Sequence, residues 1–275
     1  NYIMLEIDIF FIISLLLFFT GFISGILAGF FGIGGGIIVV PVIYHLFNSL
    51  DFSQNISMHM AIGTSLATII PASLNSVVEH KKRSCVDISL LDKWKYTVLF
   101  GSLIGAVFAQ LIDGKFLIIF FAFFTFFVAI RMLFNKPYSK KTYNFLKSIQ
   151  KIISFLIGTV SSLLGIGGGT LSVPLLLSCG RDIKKAVGTS SGIGLFISLP
   201  AAFIFLLAGL NIENRPQYSI GFISVIPFFL ITLGTFVSVP MGVKIMHNFN
   251  DILIKRFFCI LLLISALKML RDLIV

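Results

Sequence analysis

Long apolar runs separated by short polar stretches make up most of the chain. A helix of about 20 apolar residues spans a bilayer, so these runs predict membrane-spanning segments. They lie at residues 9–30, 37–48, 58–78, 96–112, 116–134, 152–164, 170–179, 186–209, 218–243 and 252–273. Three of them, 37–48, 152–164 and 170–179, are too short to cross alone and flank glycine clusters. We expect these three to be arms of hairpins that turn back inside the membrane.

The composition agrees with this pattern and excludes a soluble protein. Of the 275 residues, 57% are hydrophobic and only 12% are charged, whereas soluble domains carry about 25% charged residues. The sequence therefore predicts an all-α polytopic membrane protein with about 8–10 transmembrane segments, including two glycine-containing hairpins. Three scattered cysteines do not form a disulfide framework. Glu6 and Asp8 replace the basic start of a signal peptide, so we expect the first run to be retained.

The distribution of the basic residues predicts how the chain is oriented. The net charge is +10, and most of the 21 Lys and Arg residues lie in or beside four loops. Basic loops tend to stay in the cytoplasm. We therefore place the loops 79–95, 135–151, 180–185 and 244–251 in the cytoplasm and the loops 48–57 and 210–217 outside.

Short motifs recur in the two halves of the chain in the same order. The sequence Gly-Ile-Gly-Gly-Gly occurs at 32–36 and 165–169, each time followed by a proline, and Gly-Thr-Ser occurs at 63–65 and 188–190. Gly101-Ser102 is echoed by Gly234-Thr235. With the predicted topology, these echoes indicate two inverted repeats, at 1–134 and 152–275, joined by a basic cytoplasmic linker at 135–151. Inverted repeats are typical of transporters, because alternating access needs two halves that exchange roles.

The glycine clusters are the candidate chemistry. Helices that begin directly after glycines offer free N–H groups and the positive end of a helix dipole, which together attract an anion. The Gly-Thr-Ser segments could add hydroxyl donors, although such hydroxyls also often bond within the protein. The predicted substrate-binding residues are Gly34, Gly35, Gly36, Thr64, Ser65, Gly167, Gly168, Gly169, Thr189 and Ser190.

The prolines after the clusters, Pro41 and Pro174, are predicted structural breaks in the helices. If the arms are already helical there, each proline frees the carbonyl four residues earlier, that of Ile37 or Thr170. If they are not, each proline marks a first helical position.

Simpler interpretations stand beside these. Gly21, Gly25 and Gly29 have the spacing of a helix-packing face, and close packing is also an alternative for the two clusters. The clusters lack the Lys-Ser/Thr of a phosphate-binding loop, which argues against nucleotide binding. Glu79 and His80 could pass protons, but beside Lys81 they are more typical of a solvated boundary. The predicted spans contain no deep carboxylate, so we expect no metal site but an anionic substrate. We also expect no cofactor, and no nucleic acid, because the positive charge of a membrane protein is explained by basic cytoplasmic loops.

The doubled glycine-cluster-plus-proline motif, each followed by Gly-Thr-Ser, resembles the TauE/SafE family of membrane transporters, also called sulfite exporters. The resemblance extends over nearly the whole chain. It implies a transporter rather than an enzyme, one that moves a small sulfur-containing anion such as sulfite, thiosulfate or an organosulfonate, coupled to protons. The expected setting is multi-pass, in contact with lipid, in the inner (plasma) membrane of a bacterium. An anion channel and a non-transporting structural membrane protein are the alternatives, and the oligomeric state, including a homodimer, stays open.

Overall fold

A computed structural model describes residues 2–133, 149–213 and 215–274. These residues form ten α-helices. The first five are α1 (Tyr2–Phe31), α2 (Gly36–Ser49), α3 (Gln54–Lys82), α4 (Ile88–Leu111) and α5 (Gly114–Leu133). The second five are α6 (Gln150–Leu164), α7 (Gly169–Ser178), α8 (Ile183–Ala208), α9 (Val225–Asn248) and α10 (Asp251–Ile274).

The ten predicted apolar runs correspond to the ten helices, with one difference. The run 218–243 was expected to be a single span, but its first residues form a short antiparallel hairpin of β1 (Ser219–Ile220) and β2 (Ile223–Ser224), and α9 begins only at Val225. Tyr218 and Gly221 adopt positive φ angles of 57° and 59°, which end helical geometry there. Apolar composition alone does not report these angles.

The chain is a multi-pass integral membrane protein. Among the described residues, α1, α3, α4, α8 and α9 are long and apolar enough to cross a membrane. Large aromatic side chains on several helices face outward, among them Phe19, Phe108, Phe203 and Phe236. An apolar exterior of this kind is stable in lipid and would be unfavourable in water.

The helices of the two halves of the chain interlock. α1 packs along α9, α4 packs along α6, and α3 packs along α8. The expected packing role of Gly21, Gly25 and Gly29 is confirmed, because a side chain at any of them would collide with the backbone or side chains of α9. At Gly25, for example, a Cβ atom would lie 2.1 Å from Ser238 Oγ. Glycine thus allows these two helices to approach closely.

Three of the loops that are rich in basic residues meet at one end of the helices. Arg181, before α8, forms an ion pair of 2.8 Å with Asp87, before α4. Lys184 Nζ donates a hydrogen bond of 3.4 Å to the carbonyl oxygen of His247, at the end of α9. The predicted grouping of the loops 79–95, 180–185 and 244–251 on one side is confirmed. The linker at 135–151 lies mostly outside the described residues, and the assignment of this side to the cytoplasm stays a prediction.

Candidate functional site

The first glycine cluster joins α1 to α2 through three left-handed residues. Gly32, Gly34 and Gly35 have φ angles of 68°, 70° and 82°, a region that other L-residues enter only with strain. Gly35 is the N-cap of α2, and it provides no side-chain hydrogen bond to the first turn. Because the chain reverses here inside buried surroundings, α2 begins with its N-terminal end facing the centre of the protein.

The second glycine cluster performs the same reversal with a different backbone. Gly165 caps the end of α6 with a φ angle of 67°, whereas Gly168, the N-cap of α7, has right-handed angles of −58° and −22°. Gly168 is nevertheless tightly enclosed, since a Cβ atom there would lie 2.7 Å from the Ile193 side chain. The equivalent sequences therefore share a role but not identical backbone angles.

The two clusters touch each other. A Cβ atom on Gly36 would lie 2.3 Å from the carbonyl oxygen of Gly165, and one on Gly169 would lie 2.3 Å from the carbonyl oxygen of Gly32. A Cβ atom on Gly167 would lie 2.4 Å from the carbonyl oxygen of Ile33. Three of the predicted substrate-binding glycines thus pack against the opposite cluster in this conformation, so close packing is one of their roles.

The serine of each Gly-Thr-Ser segment connects its own helix, α3 or α8, to the glycine cluster in the other half of the chain. Ser65 Oγ, in α3, donates a hydrogen bond of 2.8 Å to the carbonyl oxygen of Gly165. Ser190 Oγ, in α8, lies 3.1 Å from the carbonyl oxygen of Gly32 and 2.8 Å from that of Val187 in its own helix, and its single proton can be donated to either. All five residues are buried. These contacts link both serines to the glycine cluster of the other half, and in this conformation the Ser65 proton is directed at a glycine carbonyl.

The threonines of the same segments hold the loops before the next helices. Thr64 Oγ1 accepts a hydrogen bond of 2.9 Å from the backbone N–H of Ser224, and Thr189 Oγ1 accepts one of 2.9 Å from that of Asp87. Ser224 and Asp87 are the N-caps of α9 and α4. The structural role considered for these hydroxyls is thus present, and each threonine keeps its own proton for a second bond.

The two prolines lie inside helices, so the first of the two alternatives holds. α2 continues through Pro41 and α7 continues through Pro174. The break is limited to a missing hydrogen bond and does not end either helix. In α2 the carbonyl freed in this way, that of Ile37, accepts a hydrogen bond of 3.0 Å from Ser265 Oγ in α10.

Several buried hydroxyls near the clusters were not predicted from the sequence as site residues. Ser24, Ser73 and Thr170 have side-chain oxygens with no hydrogen-bond partner among the described residues. Ser24 Oγ would lie 1.9 Å from a Cβ atom on Gly35, Ser73 Oγ lies beside Gly194 near the backbone nitrogen of Gly168, and Thr170 follows the second cluster directly. Buried hydroxyls are normally hydrogen-bonded, so this group has unused capacity to bind a polar ligand. Ser24 and Ser73 lie outside the repeated motifs, which explains why the motifs did not reveal them.

His80 is a buried residue and not part of a solvated boundary, contrary to the more typical interpretation of its position. Its exposed fraction is 0%, and its Nε2 lies 2.9 Å from the carbonyl oxygen of Gly29, three residues before the first cluster. Its ring centroid is 5.9 Å from that of His247. The neighbouring Glu79 is only half-buried and pairs with Lys82. The solvated-boundary interpretation thus fits Glu79 and fails for His80, because α1 and α9 cover the imidazole.

The chain is similar to known membrane transporters over most of its length. The family described as "Sulfite exporter TauE/SafE" matches residues 17–269. A "Probable membrane transporter protein" of Haemophilus influenzae is 29% identical over 256 residues, which cover 93% of this chain and 97% of that protein. A probable membrane transporter protein of Methanocaldococcus jannaschii is 29% identical over 241 residues, with 84% and 85% of the two chains covered.

A plant protein extends the comparison over a shorter stretch. "Sulfite exporter TauE/SafE family protein 6" of Arabidopsis thaliana is 32% identical over 101 residues, 36% of this chain and 22% of that protein. No solved structure matches the chain. Because the family match runs from α1 into α10, the chain belongs to the TauE/SafE sulfite exporter family, a family of membrane transporters and not of enzymes.

Proposed function

We propose that the protein is a secondary transporter that moves a small sulfur-containing anion, sulfite, thiosulfate or an organosulfonate, through the centre formed by the two glycine clusters. The observation that carries the proposal is the group of three buried hydroxyls without partners, Ser24, Ser73 and Thr170, beside these clusters. An oxyanion accepts hydrogen bonds from several directions, and the N-terminal ends of α2 and α7 add the favourable end of two helix dipoles. The name of the plant relative, a sulfite exporter family protein, supports the choice of anion.

The pairing of the helices supports two inverted repeats, at 1–134 and 152–275, as the basis of alternating access. If α1 corresponds to α6 and α4 to α9, then the contact between α1 and α9 has its equivalent in the contact between α6 and α4. The contacts of Ser65 with Gly165 and of Ser190 with Gly32 are equivalent in the same sense. Two halves that hold each other through equivalent contacts can exchange conformations, which is what alternating access requires. In this proposal the protein lies in the plasma membrane, and the short hairpin arms are counted with the long helices to give the eight to ten membrane segments expected from the sequence.

His80 is the group that we propose for coupling to protons. A carbonyl oxygen can only accept, so the bond to Gly29 requires the hydrogen to be on His80 Nε2. In the neutral ring, Nδ1 then carries a lone pair, and this atom has no hydrogen-bond partner among the described residues. A proton taken up by Nδ1 would place a positive charge beside the end of α1 that leads into the first cluster, where it would attract an anion.

Transport by the purified protein in proteoliposomes tests the proposal. We expect saturable uptake of sulfite, thiosulfate or ethanesulfonate, larger than uptake of sulfate or acetate, and dependent on a proton gradient. Flux that does not saturate would indicate an anion channel, and no flux of any of these anions would indicate a structural membrane protein. Either outcome overturns the proposal.

Ser24→Ala separates a ligand role from a structural one. Removing a buried hydroxyl that has no partner should leave stability unchanged or slightly higher. If the hydroxyl binds the anion, the KM for uptake should rise about tenfold or more, as expected for a lost hydrogen bond to a charged group. Ser198→Ala is the matched control, because the equally buried Ser198 hydroxyl donates to Leu195 within its own helix. An unchanged KM in Ser24→Ala would remove Ser24 from the site.

A further inference from the structure

A cavity of about 230 Å³ opens between α4, α6 and α7 at the end of the protein where the basic loops meet. Its lining includes the cations Lys93 and Arg181, the polar groups of Ser89 and Gln150, and the indole of Trp94. Sites for drug-sized ligands usually measure about 300–1,000 Å³, so this cavity is suited to a smaller ligand. We call it the basic cavity.

The charges of the basic cavity favour an anion. Lys93 is exposed. The Arg181 side chain is 43% exposed, and among the described residues it forms an ion pair with Asp87 alone. The carboxylates of Asp87 and Asp92 are each already engaged, with Arg181 and Lys95 respectively, and neither residue lines the cavity. A guanidinium and an ammonium facing one cavity, with no acidic residue in its lining, create a positive potential there.

Trp94 provides a second and independent indication of a ligand. Its side chain is only 4% exposed, and its Nε1 has no hydrogen-bond partner among the described residues. An indole N–H can only donate, and buried Trp usually finds an acceptor. The basic cavity therefore combines two cations with a lining residue whose buried N–H lacks an acceptor, and an oxyanion that reached this N–H would satisfy it.

The basic cavity also leads toward the proposed transport centre. A narrow crevice shares Leu90, Leu176 and Arg181 with the cavity and continues to Lys185 and Thr189. The crevice has no room for a water molecule. Thr189 belongs to the second Gly-Thr-Ser segment, and the Asp87–Arg181 ion pair stands at the junction of cavity and crevice.

We infer that the basic cavity is a second anion site, a vestibule in which a sulfur oxyanion binds to Lys93, Arg181 and Trp94 before entering, or after leaving, the centre. This inference rests on the proposed transport function for the identity of the anion. In the vestibule the anion competes with the carboxylate of Asp87 for the guanidinium of Arg181. Binding of the anion loosens the ion pair that stands between the cavity and the crevice.

The fluorescence of Trp94 gives a direct test, because Trp94 is the only tryptophan of the chain. The purified full-length protein is titrated with thiosulfate and with methanesulfonate at constant ionic strength, with chloride as the comparison. We expect a saturable change in tryptophan emission with either sulfur oxyanion and none with chloride. A flat response to both oxyanions, or an equal response to chloride, would overturn the vestibule.

Two variants with opposite expected effects on affinity, together with one control, sharpen the test. Lys93→Gln should weaken binding about two- to fivefold, the range for an exposed ion pair. Asp87→Asn should strengthen it by a similar factor, because Arg181 loses its competing partner while the cap of α4 is kept. Lys95→Gln is the matched control, since this lysine lies on the same helix but pairs with Asp92 outside the cavity. If Lys93→Gln and Lys95→Gln weakened oxyanion binding equally, the effect would come from the general loss of positive charge on this surface. That result would overturn the assignment of Lys93 to the anion site.

The two proposals fail in distinguishable ways. Saturable emission changes without any flux in proteoliposomes would keep the vestibule and remove the transport function. Saturable flux with an unresponsive Trp94 would keep the transport function and remove the vestibule. Trp94→Phe, measured by calorimetry, should bind the oxyanion more weakly because it retains the ring packing and loses the donor, and unchanged affinity in this variant would remove Trp94 from the site.

Discussion

Gly36→Ala tests whether the two glycine clusters are held in direct contact. The Cβ atom of the alanine would lie 2.3 Å from the carbonyl oxygen of Gly165 and 3.0 Å from Ser65 Oγ. Ordinary contacts between carbon and a carbonyl oxygen begin at about 3.3 Å, so α2 and the second cluster must separate by about 1 Å. Such overpacking costs about 1–3 kcal/mol. Weakening of the Ser65–Gly165 hydrogen bond adds about 0.5–1.5 kcal/mol.

We therefore expect Gly36→Ala to lower the free energy of unfolding by about 1.5–4.5 kcal/mol. Thermal unfolding of the purified protein in detergent, followed by intrinsic fluorescence, provides the measurement. Without the contact, the expected sign is reversed. Gly36 begins α2, and alanine in a helix is favoured over glycine by up to about 1 kcal/mol. A stability equal to or above that of the unaltered protein would refute the packing of the two clusters.

Gly180→Ala is the control for backbone strain. Gly180 has a φ angle of 74°, but a side chain there would meet no atom within 4 Å. We expect this variant to lose only the about 1–2 kcal/mol that a left-handed alanine costs. A loss equal to that of Gly36→Ala would mean that the unfolding assay does not resolve steric conflict from strain.

The remaining predictions concern the hydroxyls, the ion pair and the topology. Thr64→Val should cost about 1–3 kcal/mol in thermal unfolding, because it leaves the buried N–H of Ser224 without an acceptor; Thr125→Val, which removes a bond within one helix, should cost less. Burial alone would raise the pKa of Asp87, but hydrogen bonds from Ser89 and Leu90 and the charge of Arg181 outweigh it and lower the pKa below its ordinary value. The ionised carboxylate thus stabilises the fold above about pH 4, and this stabilisation is lost as the pH falls through the lowered pKa. We therefore expect the melting temperature of Asp87→Asn to depend less on acid pH than that of the unaltered protein. The same acid dependence in both proteins would contradict this. Impermeant thiol reagents in intact cells should not label a cysteine introduced at Lys81, and labelling there would reverse the orientation.

Much of the fold was predictable because membrane segments are recognised by length and apolarity. The ten helices follow the ten apolar runs, and the loops rich in lysine and arginine identify one end of the molecule. The contact between the glycine clusters was predictable from their repetition. The hairpin at 219–224 was not, because it depends on positive φ angles at Tyr218 and Gly221, and only Gly221 gives a local signal in the sequence.

The chemistry around the clusters was less accessible to sequence reasoning. Motif repetition identified Ser65 and Ser190, yet both hydroxyls have carbonyl acceptors within the protein, Gly165 for Ser65 and Val187 or Gly32 for Ser190. Ser24 and Ser73 are unremarkable serines in apolar helices, and their unsatisfied hydroxyls become visible only when neighbouring helices are in place. The burial of His80 likewise depends on α1 and α9, which are distant in sequence from the end of α3.

The packing of α1 along α9 affects how the chain can be made. Gly25 meets its neighbour Ser238 only after the ribosome has added more than 200 further residues, so until then the glycine face of the first helix lies in the lipid without its partner. Contacts between segments so far apart along the chain slow folding. We expect the two halves, expressed from separate genes, to be degraded when alone and to rescue each other when co-expressed, because each half lacks the surface that covers its small residues.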